Sequence, residues 1–258
     1  MKLVFEDVTL NVQEDGDPEG APLVFANSLG TDLHLWDALL PHLPPGLRII
    51  RWDKRGHGGS GVPSPPYKMG ALVKDAERVC DSLEVRDCVF VGLSIGGMIA
   101  QGLAVKRPDL IRALVLSNTA AKIGTPAIWN DRIEAVRKGG MQAIADATMT
   151  RWFSRNFAEI AQWRARFIAC PPEGWMGCAA AISGTDFYTP TSGLRVPTLG
   201  IAGSEDGSTP PDLLRETVDL VPGSQFALLR GAGHLPCVEQ PEAYARLIAE
   251  FLHAQSHI

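Results

Sequence analysis

Val89-Phe90-Val91-Gly92-Leu93-Ser94-Ile95-Gly96-Gly97-Met98 carries the densest chemistry in the chain. A serine with glycine two residues to either side, after an apolar run and before a helical pattern, fits a tight strand-to-helix turn. Side chains at Gly92 and Gly96 would crowd that turn, and the serine at its apex would take strained backbone angles. Such a turn lifts the Ser94 hydroxyl clear of the sheet. It also aims the Ile95 N–H, at the helix start, toward the place where an oxyanion would form. A bare motif of this kind could be a Gly-rich turn with a capping serine. The strand before it and the helix after it favour a nucleophile.

A serine becomes nucleophilic at neutral pH only with a base in hydrogen-bond reach. Of the six histidines, His234 stands in a Gly-flanked loop, Gly231-Ala232-Gly233-His234-Leu235-Pro236, after a late strand. His253 and His257 lie in the C-terminal tail, and His34, His42 and His57 precede the serine. The chain order nucleophile, acid, histidine selects His234. The acid is expected in another late loop, Ala202-Gly203-Ser204-Glu205-Asp206-Gly207-Ser208-Thr209-Pro210. Asp206 would hold the histidine tautomer and stabilise its imidazolium. Glu205 is the competing acid, and either could instead cap a helix starting near Pro211.

A second oxyanion donor is expected from the loop after the third strand. That loop reads Asn27-Ser28-Leu29-Gly30, and the Leu29 N–H is the candidate. Asn27 and Ser28 are candidates to shape the loop or to touch substrate. Gly56-His57-Gly58-Gly59-Ser60-Gly61 formally matches a dinucleotide-binding glycine pattern. A dinucleotide site needs a helix opening on those glycines, and Val62-Pro63-Ser64-Pro65-Pro66 cannot start one. No metal-ligand spacing and no Walker loop is present, so no cofactor and no metal are expected.

These residues need a scaffold that brings distant loops to one edge. Residues 2–6 and 8–13 alternate like an antiparallel hairpin. Apolar strand-sized runs follow at 22–26, 47–52, 88–91, 113–116, 196–202 and 226–229. Helical patterns occupy 69–84, 95–106 and 240–253. Buried strands alternating with helices predict a mainly parallel sheet covered on both faces. The stretch 120–190 breaks the rhythm. It holds four of the six tryptophans (Trp129, Trp152, Trp163, Trp175) and has a net charge of +2 against −7 for the rest of the chain, so it reads as an inserted helical cap.

The overall balance of −5 argues against a nucleic-acid surface. The N-terminus turns acidic where a signal-peptide core would continue, and the longest apolar runs are strand-sized, so no membrane span is expected. Five cysteines, odd in number and without a CxxC pair, fit small buried residues in a reduced cytoplasmic protein. Nothing in the sequence specifies an oligomer.

Leu23-Val24-Phe25-Ala26-Asn27-Ser28-Leu29-Gly30-Thr31-Asp32-Leu33-His34-Leu35-Trp36-Asp37 resembles the 3-oxoadipate enol-lactonases. So do Asp53-Lys54-Arg55-Gly56-His57-Gly58, the stretch from Gly92 to Gln101, Ala202–Asp206 and the cap stretch Cys170-Pro171-Pro172-Glu173-Gly174-Trp175. In many other α/β-hydrolases a His-Gly pair stands where Asn27-Ser28 stands here. The resemblance implies an α/β-hydrolase fold: a mostly parallel eight-stranded sheet flanked by helices, with core 1–119 and 191–258 and cap 120–190. It implies hydrolysis of 3-oxoadipate enol-lactone by Ser94, His234 and Asp206, with Leu29 and Ile95 holding the oxyanion.

That substrate is a small anionic lactone, whose free carboxylate calls for a cation. Trp129 and Arg132, three apart, would share a helix face, Arg132 gripping the carboxylate and Trp129 walling the pocket. A solvated arginine beside a packing tryptophan is the alternative. A general carboxylesterase or lactonase and a cofactor-free perhydrolase would share the triad, and a ligand-sensing hydrolase would bind without much turnover. A haloalkane dehalogenase would need aspartate at position 94.

Overall fold

The computed structural model describes all residues, 1–258. Eight strands form one sheet: β1 (Lys2–Val4), β2 (Thr9–Gly16), β3 (Ala21–Ala26), β4 (Leu47–Trp52), β5 (Cys88–Leu93), β6 (Ile111–Ser117), β7 (Thr198–Gly203) and β8 (Gln225–Leu229). Their spatial order is β1-β2-β4-β3-β5-β6-β7-β8. β1 and β2 pair antiparallel, as does β2 with β4, and every later pair is parallel. The apolar runs explain this arrangement. β5 and β7 are buried at every position, as strands covered on both faces must be, whereas edge strand β8 is only partly buried.

Strand and helix limits shift where proline intervenes. The run 196–202 pairs as a strand only from Thr198, because Pro197 has no N–H to give the ladder. The last helical pattern divides into α9 (Pro236–Glu239) and α10 (Pro241–Ala254), with Pro241 at the first helical position of the second. α1 (Met69–Ser82) and α2 (Ile95–Lys106) pack on each other beside the central strands, and α8 (Pro211–Asp219) packs on β7. Most of α2 is buried, including Gly96 and Gly97, so the helix lies hard against the sheet.

Five helices stand between β6 and β7: α3 (Pro126–Gly139), α4 (Gln142–Trp152), α5 (Ile160–Ile168), α6 (Pro172–Ser183) and α7 (Tyr188–Ser192). Their apolar side chains, among them Trp129, Trp152, Trp163 and Trp175, belong to the same continuous hydrophobic cluster as the sheet. The insertion is thus packed down and has no separate core. The glycine run after β4 serves this docking. A Cβ on Gly174 in α6 would lie 1.9 Å from the Gly56 carbonyl oxygen, and one on Gly56 would lie 2.3 Å from the Gly174 Cα. Glycine at both positions lets two backbones touch.

All five cysteines are buried and unpaired. No helix is long and apolar enough to cross a membrane.

Because the Gly56–Gly174 contact is backbone on backbone, neither side can yield. Gly174→Ala is expected to destabilise the protein by about 1–3 kcal/mol, the usual range for overpacking. Thermal or urea unfolding measures this, and an unchanged midpoint would contradict the described contact.

Candidate active site

The C-terminal ends of the parallel strands all open on one edge, where the loops after β3, β5, β6, β7 and β8 converge. This is the edge at which open α/β sheets place ligands. Ser94 stands between β5 and α2 with φ 59° and ψ −119°, a left-handed backbone rare for any residue but glycine. The flanking glycines have a steric reason. A Cβ on Gly92 would meet the Gly96 carbonyl oxygen at 2.3 Å, and one on Gly96 would meet the Ala26 carbonyl oxygen at 2.0 Å. The strained turn is also tied down by its neighbours. The Ser94 N–H donates to the Ser117 carbonyl at 3.0 Å, and Thr119 Oγ1 donates to the Ser94 carbonyl at 2.6 Å.

Asp206 lies in the loop after β7 and is buried. Its Oδ2 is 2.9 Å from His234 Nδ1 and accepts from Asn118 Nδ2 and Thr209 Oγ1, each at 2.8 Å. Its Oδ1 accepts the backbone N–H of Ser208 at 2.7 Å and of Thr209 at 3.0 Å. Burial alone would raise this carboxyl's pKa. The His234 ring and the Asn118 and Thr209 donors outweigh that and hold it below the ordinary carboxylate range. Asp206 is therefore an anion at neutral pH that accepts the Nδ1 proton of His234. That tautomer leaves the Nε2 lone pair free as a base.

His234, in the loop after β8, is fixed from the insertion as well. Its backbone N–H donates to the Trp152 carbonyl at 2.7 Å, and its ring stacks on Trp152 with centroids 6.3 Å apart. Ser94 and His234 line one small cavity of about 50 Å³. In this state Ser28 Oγ sits 3.5 Å from His234 Nε2. The Ser94 hydroxyl itself makes no hydrogen bond to the ring. Glu205, the competing acid, turns the other way, and its Oε2 accepts the Arg155 N–H at 3.4 Å.

Of the other residues singled out by sequence, Ser28, Leu29, Trp129 and Arg132 line this cavity, and Ile95 opens α2 directly behind Ser94. Asn27 is turned away from it. Its Nδ2 donates to the Trp52 carbonyl at 2.9 Å and its Oδ1 accepts from Trp36 Nε1 at 2.8 Å, so the side chain is wholly engaged in holding the loop. The Arg132 guanidinium lies 4.9 Å over the Trp129 ring, as their three-residue spacing on α3 allows. His57 supports the loop from below: its Nε2 accepts the Gly30 N–H at 3.0 Å, and burial pushes its pKa well below the usual value, which keeps it neutral.

Sequence reasoning missed three residues of the site. Asn118 takes φ 44° at the end of β6, and the polar run Ser117-Asn118-Thr119 closing an apolar strand was its only signal. Thr209 clamps Asp206. Arg151, at the end of α4, lines the cavity beside Arg132. Neither arginine has a carboxylate within salt-bridge distance, although both are half-buried. Burial and the neighbouring Arg132 charge push Arg151 down to about 10, so it remains a cation at neutral pH.

Fold and geometry define a hydrolase site of the nucleophile-elbow type. The family model for the alpha/beta hydrolase fold matches residues 21–241, and the chain belongs to that family. It is 33% identical to 3-oxoadipate enol-lactonase 2 of Acinetobacter baylyi, over 94% of this chain and 92% of that protein. The crystal structure of the enol-lactonase from Burkholderia xenovorans LB400 superposes with a TM-score of 0.94 at 33% identity, covering 98% of this chain and 100% of that one. A thermophilic esterase from Thermogutta terrifontis superposes with a TM-score of 0.89 at 31% identity, covering 96% and 94%.

The Asp206–His234 contact predicts a specific kinetic loss. Asp206→Asn keeps the shape but offers an amide where an acceptor is needed, so kcat should fall about 10³–10⁴-fold, as when a triad acid is amidated. Steady-state hydrolysis of a 4-nitrophenyl ester reads this directly. A loss below about tenfold would mean that another group orients the histidine.

Proposed function

We propose that this chain hydrolyses 3-oxoadipate enol-lactone to 3-oxoadipate through an acyl-enzyme on Ser94. The observation that carries the choice of an acidic lactone over a neutral ester is the pair of uncompensated guanidiniums, Arg132 and Arg151, in the wall of the cavity that holds Ser94 and His234. Two unpaired cations at a half-buried site repel each other, and an anionic ligand relieves that repulsion. The likeness to enol-lactonases over nearly the whole chain supports the same substrate class.

The chemistry follows from the positions. Substrate enters with its carboxylate toward Arg132, its ring against Trp129 and its ester carbonyl over Ser94. Rotation about the Ser94 side chain brings Oγ to His234 Nε2. Oγ bonds to the carbonyl carbon as its proton passes to Nε2, and Asp206 stabilises the resulting imidazolium. The N–H groups of Leu29 and Ile95 receive the oxyanion. Collapse breaks the ring C–O bond. The leaving oxygen departs as an enolate, which takes at carbon the proton that Nε2 received from Ser94 and becomes a ketone, so ring opening runs forward and Nε2 is again free as a base. Water then attacks the acyl carbon while Nε2 takes its proton, and the Ser94 oxygen leaves with the proton returned from the ring.

Loss of enol-lactone absorbance tests the substrate. Purified protein should consume it, and Ser94→Ala should not do so above the uncatalysed rate. Equal rates for the two would refute the assignment. Arg132→Ala should raise KM for the lactone about 10–100-fold, the worth of a charged hydrogen-bonded contact, while leaving hydrolysis of a neutral ester nearly unchanged. Equal effects on both substrates would show that Arg132 does not hold the carboxylate and would favour an unselective esterase.

A further inference from the structure

The Lys54 ammonium is fully buried, yet no carboxylate lies within salt-bridge distance of it. Burial works against its charge and lowers its pKa. An amine taken out of water with no carboxylate beside it must find hydrogen-bond acceptors. Its contacts supply them. Nζ donates to the Ser28 carbonyl at 2.6 Å and to the Thr31 carbonyl at 3.0 Å. The Ser28 oxygen also accepts from Thr31 Oγ1 at 2.9 Å and from the Thr31 N–H at 3.3 Å. These four residues form a turn with Gly30 in third position at φ 80°, the positive value that a type II turn requires there.

The peptide between Ser28 and Leu29 is trans. In a trans peptide the C=O and the next N–H point in opposite directions. Three donors holding the Ser28 oxygen on one side therefore aim the Leu29 N–H to the other. That N–H has no acceptor within the protein, and Leu29 lines the cavity that holds Ser94.

We infer that Lys54 is a positioning residue for the oxyanion hole: by gripping the Ser28 carbonyl it holds the Leu29 N–H toward the carbonyl oxygen of the substrate. Lys54 touches neither substrate nor reacting atoms. It acts through one peptide plane, and Thr31 Oγ1 acts on the same oxygen with less reach. A donor fixed before reaction needs no reorganisation as charge develops, which is where such groups act most strongly.

The inference rests on the serine-hydrolase reading, and the test separates the two. The substrate is an uncharged ester, 4-nitrophenyl acetate, so the arginines play no part. Active sites are counted by titration with a 4-nitrophenyl phosphonate, so misfolded protein does not enter kcat. Lys54→Met should lower kcat per titrated site about 10–100-fold, up to the loss seen when one oxyanion donor is removed, with KM changed less than about twofold. The Ki of a reversible boronic acid, which presents a tetrahedral anion, should rise in the same proportion as kcat/KM falls. Thr31→Val should shift all three in the same direction by a smaller factor.

Unchanged kcat per titrated site in Lys54→Met, or a raised KM with kcat and boronate affinity intact, would overturn the inference. If Lys54→Met does not fold, Thr31→Val decides, and an unchanged kcat there would overturn it. A Ser94→Ala variant that still turns over the ester would instead remove the serine-hydrolase reading itself.

Discussion

A carboxylate taken out of water must be surrounded by donors, and the Asp206 carboxylate sets that requirement at the centre of this molecule. Its partners come from three separate loops: Asn118 after β6, Ser208 and Thr209 after β7, and His234 after β8. Only a parallel sheet brings those loops to one edge, since each strand then ends on the same side. Satisfying the buried anion therefore also fixes the His234 tautomer, and the tautomer decides whether Nε2 can act as a base. Leaving Asp206 partly satisfied would raise its pKa and loosen the imidazole together.

The helices between β6 and β7 take part in that same arrangement. The last turn of α4 accepts a hydrogen bond from the loop after β7 and from the loop after β8, the Arg151 carbonyl from the Gly207 N–H at 3.0 Å and the Trp152 carbonyl from the His234 N–H at 2.7 Å. Arg151 thus presents a guanidinium to the cavity while its own backbone braces the acid loop. Glu239 adds a second tie, its Oε2 accepting the Ser154 N–H at 3.1 Å and its Oε1 accepting the Gly233 N–H at 2.7 Å. The parts that would meet substrate and the parts that would perform chemistry share supports, so neither moves without the other.

What was legible in the sequence followed from local rules. Gly92-x-Ser94-x-Gly96 between a buried strand and a helix announces its own turn, because the steric demand lies within five residues. The parallel sheet was readable from short, mainly apolar runs alternating with helical patterns. The tie to Trp129 and Arg132 was readable from helical spacing. Asn27 was ambiguous because a polar residue in a loop looks available, and only the distant Trp52 carbonyl and Trp36 indole show that it is engaged. Arg151 and Lys54 owe their roles to partners far along the chain, so no local pattern marks them, and Asn118 had only the polar run closing β6 to mark it. The glycine run 56–61 is a further case. The prolines after it already excluded a dinucleotide site, but its use, with Gly56 against the backbone of α6, depends on a partner far along the chain.

Trapping the acyl intermediate on Ser94 tests covalent catalysis most directly. Enzyme mixed with enol-lactone and quenched in acid within the first turnovers should show, by intact-mass and peptide mass spectrometry, an adduct with the mass of the lactone on the peptide bearing Ser94. The adduct should vanish in Ser94→Ala together with turnover. Turnover without an adduct that persists in Ser94→Ala, or an adduct on a different residue, would contradict it.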